Sequence, residues 1–284
     1  MDGKNDGVTY NILLHSQRGH GLSTLPPRTE SQERLTTIPL LATDINHLLE
    51  ALDIPIPVHS VIGVSQGGAT TLAFGNLYGD KTRSIVACGT APSTAAGNKE
   101  AWEERTTLVC GSCSYDWHER PGNIDIEAYG REVGMRKLAK ISIPRWFPEG
   151  SSCHPGSDLD SEDGRILWLE EMIAKTDVKG FFHGAKALGS YNVLEIQSPV
   201  QSGKVTRLFD SRMEKVLLVA GKLDGRGRVG KGLREFKERW KNTIREERGK
   251  RSVEFVEMAD TGHLPMIESA KAFCEVIGPF LCFE

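Results

Sequence analysis

Two kinds of apolar run alternate along this chain. Residues 58–64, 84–88 and 216–220 are short, β-branched and almost free of charge, the pattern of strands buried on both faces of a parallel sheet. Residues 253–258 suggest a fourth strand, and residues 10–14 (Tyr-Asn-Ile-Leu-Leu) a further short buried one. Between them lie helical spacings. Leu41, Ile45, Leu48 and Leu52 recur at four, three and four, with Pro39 in the first turn, and Pro55 and Pro57 end a helix over 38–54. Residues 66–78 predict a helix closed by Gly79, and residues 268–282 a final amphipathic one. Leu233, Phe236, Trp240 and Ile244 mark the apolar side of a helix over 231–251, where nine Lys/Arg stand against four Asp/Glu. Strand and helix in alternation predict an α/β fold, a mostly parallel sheet with helices on both faces.

The pattern breaks between residue 90 and about residue 209. That stretch is rich in Pro, Gly, Trp and His, and its helical spacings are short and imperfect. The expected organisation is a core of residues 1–90, an inserted helical cap of residues 91–209, and the rest of the core in residues 210–284. Trp102, Trp117, Trp146 and Trp168 fall in the cap. Each can pack in a core or line an apolar acyl or ring pocket, and Trp146 is the candidate substrate contact.

Composition narrows the function classes. The 284 residues carry a formal net charge of −3, which supplies no general attraction to nucleic acid or an acidic membrane. The mixed signs over 231–251 belong to a solvated helix face rather than a nucleic-acid patch. No apolar run approaches the roughly 18–20 residues of a membrane helix, and residues 1–7 have no apolar core, so a cytoplasmic location is expected. Six cysteines form no disulfide framework. Cys110-Gly-Ser-Cys113, with His118 and Cys153 nearby, is the weak metal candidate, against ordinary reduced thiols. No metal and no cofactor are expected, because phosphate loops, dinucleotide fingerprints and H-E-x-x-H are absent from the sequence.

One motif carries chemistry. Gly63-Val64-Ser65-Gln66-Gly67 is G-x-S-x-G with a strand running into it and a helix starting within it. A sharp turn there strains the serine and exposes its hydroxyl, and glycines two positions away keep the turn clear. A serine nucleophile needs a base. His263, in the loop Asp260-Thr-Gly-His-Leu-Pro265 between the last strand and last helix, is placed to be one. The acid that orients it should end an intervening strand, as Asp224 does. Asp210 precedes that strand and Asp260 lies too close to His263 along the chain. The backbone N–H of Gln66 supplies one oxyanion donor.

These residues resemble the α/β-hydrolase superfamily. His15-Ser-Gln-Arg-Gly-His-Gly-Leu-Ser23 resembles its D-x-R-G-x-G-x-S turn, Gly63 to Gly68 its nucleophile elbow, and Gly262-His-Leu-Pro-Met-Ile-Glu268 its histidine loop. Trp102 to Arg105 and Arg145-Trp-Phe147 resemble the 3-oxoadipate enol-lactonase type of lactone and ester hydrolase. The resemblance implies a Ser65–His263–Asp224 triad cleaving a carboxylic ester or lactone of a small to medium metabolite. The alternatives are a carbon–carbon bond hydrolase using the same triad and an impaired, ligand-binding member. A homo-oligomer is left open. A serine at position 65 argues against a dehalogenase or epoxide hydrolase, which need aspartate there.

Two departures stand out. Ser16 replaces the family's aspartate, and the strands and H-G motif that precede this turn in the family are not found before residue 10. Either residues 10–14 take the place of an inner strand and their following loop supplies the second oxyanion N–H, or the chain is a truncated or impaired member.

Overall fold

The computed structural model describes residues 9–26, 36–110, 126–155, 164–196, 213–243 and 252–282. Helix α1 (Ile38–Ala51) starts where the Thr37 side chain accepts a hydrogen bond from Leu40 N–H, with Pro39 in the first turn. It buries Leu41 and Leu49, while Leu52 lies past its end and is exposed. Strand β1 (Val58–Val64) leads into α2 (Gln66–Tyr78), and β2 (Thr82–Cys88) follows. Gly79 keeps ordinary right-handed dihedrals and opens a short 3₁₀ turn rather than a left-handed cap.

The sheet is completed by β3 (Lys215–Gly221) and β4 (Ser252–Met258), all strands parallel in the order β1-β2-β3-β4. Alternation sorts their side chains. Ile85, Ala87, Val216, Leu218 and Ala220 face one layer with Ile38, Leu72 and Phe74. Val86, Cys88, Leu217 and Val219 face the other, with Phe273 and Phe280 of the final helix Ala270–Leu281. The basic helix Arg228–Thr243 packs on the first layer through Leu233, Phe236 and Trp240, as its spacing predicts; Ile244 lies outside the described residues.

Between β2 and β3 the chain leaves and returns through a neck. Thr94 N–H donates to Tyr191 O, Val193 N–H donates to Pro92 O, and Ser93 bridges Asn192. Beyond the neck stand α3 (Asn98–Cys110), α4 (Met135–Trp146), α5 (Arg165–Ala174) and α6 (Val178–Gly189). They share an apolar cluster of their own that includes Val109, Met135, Ile143, Leu169 and Phe181. Trp102 touches that cluster, Trp168 is exposed, and Trp117 lies outside the described residues, as do Cys113 and His118.

Two strand expectations need correction. Residues 10–14 form no strand and are not buried: Leu14 is 87% exposed and Ile12 79%. The Tyr10 ring instead rests on His59, and its hydroxyl donates to Leu281 O. A five-residue apolar run without a hydrogen-bonded neighbour has nothing to satisfy its backbone in a sheet, so its sequence alone does not make it a strand. Correspondingly, β1 is only half-buried and Ile62 is 46% exposed, because among the described residues β1 pairs on one side alone. Phe74 is fully buried at the centre of the first layer. Phe74→Ala is expected to cost about 3–5 kcal/mol in a denaturant titration; a loss under about 1 kcal/mol would place the core elsewhere.

Candidate active site

The elbow is built by a close approach of backbone to backbone. A Cβ on Gly63 would sit 2.2 Å from Gly67 O and 2.5 Å from Thr71 Oγ1, so no side chain fits there. Ser65 takes φ 55° and ψ −117°, a conformation costing on the order of 1–3 kcal/mol that the surroundings must hold. Its N–H donates to Cys88 O at 2.9 Å and its carbonyl accepts from Ala69 N–H. The hydroxyl does not cap the helix it precedes, which leaves it available for chemistry. Gln66 opens α2, where a backbone N–H has no acceptor within the helix.

Asp224 and His263 come from the ends of β3 and β4. Lys222 N–H donates to Met258 O and Leu223 N–H to Thr261 O, so the chains leaving the two strands stay bonded to each other. His263 Nδ1 and Asp224 Oδ2 are 2.9 Å apart, and Asp224 is 5% exposed. With the ring proton on Nδ1, the other ring nitrogen is left as an acceptor. Asp260 is exposed at φ 53°, and Asp210 lies outside the described residues.

Gly89 links the two halves. It directly follows Cys88, the residue that holds Ser65, and a Cβ there would lie 3.4 Å from His263 Nδ1 and 3.5 Å from Asp224 Oδ2. At φ 53° it holds a turn that other residues adopt at a cost. Sheet order therefore sets Ser65 beside the residue that underlies the His–Asp pair.

The helical segment beyond the neck reaches the same place. Trp146, last residue of α4, accepts the His263 N–H on its carbonyl at 2.8 Å, and its ring stacks on the imidazole with centroids 6.0 Å apart. Its neighbour Arg145 has an exposed surface, while the protein around its guanidinium partly shields the charge from water. Burial pushes Arg145 down to about 10, Arg105 adds repulsion, and Asp224 opposes both. Arg105 stands over the Trp102 ring. Sequence reasoning noted these arginines only inside a resemblance; their convergence depends on two helices meeting, which spacing does not encode.

The glycine-rich turn is held from two sides. Arg18 forms an ion pair with Asp44 of α1, and the Ser23 hydroxyl donates to Ser16 O. Its Gln17 amide donates to Thr70 Oγ1 at 3.4 Å, beside the first turn of α2.

Comparison with known proteins bears on this geometry. Residues 3–276 match the family model described as the alpha/beta hydrolase family. No curated protein matches the chain. A thermophilic esterase from Thermogutta terrifontis, solved with malate bound, is similar at TM-score 0.63 and 19% identity, covering 93% of this chain and 77% of that one. The enol-lactonase of Burkholderia xenovorans LB400 is similar at TM-score 0.60 and 21% identity, covering 93% and 78%. A carboxylesterase structure from Nitrososphaera gargenis gives TM-score 0.61 and 19% identity, covering 94% and 77%. At these identities the likeness speaks for the fold.

Substituting Gly63→Ala forces a methyl group onto the Gly67 carbonyl, and is expected to cost about 1–3 kcal/mol in a denaturant titration. Wild-type stability would show that the turn has room for a methyl group.

Proposed function

The chain belongs to the α/β-hydrolase family, and from that membership we propose that it hydrolyses a carboxylic ester or lactone of a small to medium metabolite with Ser65, His263 and Asp224. The observation that carries this reading is the 2.9 Å pairing of His263 Nδ1 with Asp224 Oδ2, set over Gly89 beside a strained Ser65. The esterase and enol-lactonase neighbours support the ester class.

In this reading the Ser65 hydroxyl oxygen attacks the substrate carbonyl carbon while His263 Nε2 accepts its proton. Asp224 stabilises the resulting imidazolium and keeps the neutral tautomer correct. The Gln66 N–H, at the helix N-terminus, donates to the tetrahedral oxyanion. Collapse expels the alcohol, which takes the proton from His263, and leaves an acyl group on Ser65. A water molecule, deprotonated by His263, then attacks that acyl carbon and releases the acid. The helices beyond the neck act as the cap, with Trp146 as a wall against the substrate. No helix of the described residues is long and apolar enough to cross a membrane, and a small-molecule substrate entering from water fits the reading.

The test is turnover of short p-nitrophenyl esters and γ-lactones. Ser65→Ala is expected to lower kcat by about 10⁴-fold or more, and a fluorophosphonate probe to label Ser65 in the wild type alone. Equal background rates in the two proteins, without labelling, would sink the proposal. A β-diketone cleaved far faster than any ester would reassign the triad to carbon–carbon bond hydrolysis.

A further inference from the structure

Glu268 closes the short helical turn Pro265–Glu268, five residues beyond His263, and is 5% exposed. Its carboxylate is an assembly point. Oε2 accepts the Gly262 N–H at 2.7 Å and the Ser151 hydroxyl, and Oε1 accepts the Leu264 N–H at 3.3 Å. Gly262 and Leu264 are the residues on either side of His263. The N–H between them, that of His263 itself, goes to Trp146 O. Three consecutive N–H groups around the imidazole are thus fixed, two of them by one buried side chain.

Ser152, beyond α4, and Arg165, first residue of α5, converge on the same turn. Ser152 Oγ donates to Glu268 O at 3.0 Å, and Arg165 Nη1 donates to Ile267 O at 2.7 Å and Glu268 O at 3.3 Å. The Glu268 carboxyl sits above the usual carboxylate range, chiefly because it is buried. Burial raises its proton affinity, the negative Asp224 adds to that, and the bonds from Ser151, Gly262 and Leu264 oppose both. A buried acceptor that satisfies several donors cannot be removed without orphaning them. Here the orphaned N–H groups would flank the imidazole.

We propose that Glu268 is a positioning residue for the general base: it fixes the backbone on both sides of His263, and through Ser151 it ties that geometry to residues 148–155 of the helical segment. This rests on the reading of His263 as base. Glu268 touches no reacting atom. Its effect passes through the orientation of the imidazole, where a displacement of about 1 Å costs on the order of 10²-fold in rate.

A role in orientation separates from a role in folding by what each substitution leaves. In Glu268→Gln, an amide oxygen in place of Oε2 still accepts from Gly262 and Ser151, and only the long Leu264 bond is lost. In Glu268→Ala all three donors lose their acceptor. The expected result with a p-nitrophenyl ester, at matched folded protein, is a kcat about 10²-fold down in Glu268→Ala with KM within about three-fold, and Glu268→Gln within about five-fold of wild type. Wild-type kcat in Glu268→Ala, a loss confined to KM, or a Gln variant as impaired as the Ala variant would each overturn the proposal. If Glu268→Ala does not fold, Ser151→Ala takes its place. A kcat about ten-fold down at unchanged KM supports the link, and wild-type kcat overturns it.

A signal independent of turnover keeps this test apart from that of the proposed function. The downfield proton resonance of the His263–Asp224 hydrogen bond should persist in Glu268→Gln and weaken or shift in Glu268→Ala. An unchanged resonance in a folded Ala variant would sink the idea whether or not the protein cleaves esters.

Discussion

The parallel pairing of four strands is the constraint on which the rest of the structure depends. In-register parallel neighbours end on the same side, so the loop leaving each strand meets the loop leaving its neighbour. The pairing runs past the strands themselves. Ser65 N–H binds Cys88 O, Gly89 N–H binds Val219 O, and Lys222 N–H binds Met258 O. The elbow is therefore stitched to the end of β2, β2 to β3, and β3 to β4. These bonds let an unfavourable φ persist at Ser65, since relaxing the turn would break a buried backbone pair.

A second framework meets the first at one residue. The sheet fixes His263 through Asp224, and the helical segment fixes it through the carbonyl of Trp146. The imidazole lies between Trp146, which packs against the helical cluster, and Asp224, which follows β3. Charge obeys the same division. Asp224 belongs to the sheet side and Arg145 and Arg105 to helices, and the attraction of Asp224 for Arg145 acts between the two. A site assembled this way owes its shape to docking between layers as well as to the core of either one.

The sheet was legible because its signal is local. Runs such as residues 216–220 are apolar on every position, and only a strand covered on both faces uses such a run. The residues proposed as a triad stood out for a related reason: each comes after a strand, so order along the chain translates into adjacency in space. Residues 10–14 misled because an apolar run states what a segment could bury and says nothing of a partner to pair with. They also give β1 no second strand to pair with, so among the described residues it pairs on one side alone. Glu268 is the opposite case. Its sequence context marks it as part of a histidine loop, but its bond to Ser151 spans 117 positions, and no spacing rule reaches that far.

Among the described residues β1 and β4 are the two ends of the strand order, so the two halves of the candidate site open independently of each other. Ser65 follows β1, while Asp224 and His263 follow β3 and β4, whose outgoing chains stay bonded to each other. Local opening has a free energy set by the contacts broken, and detaching β1 from β2 breaks fewer than global unfolding does. Partial opening would move Ser65 away with its elbow and leave the imidazole and carboxylate bonded to each other. The meeting of Ser65 with the His–Asp pair is then less stable than the fold that contains all three residues.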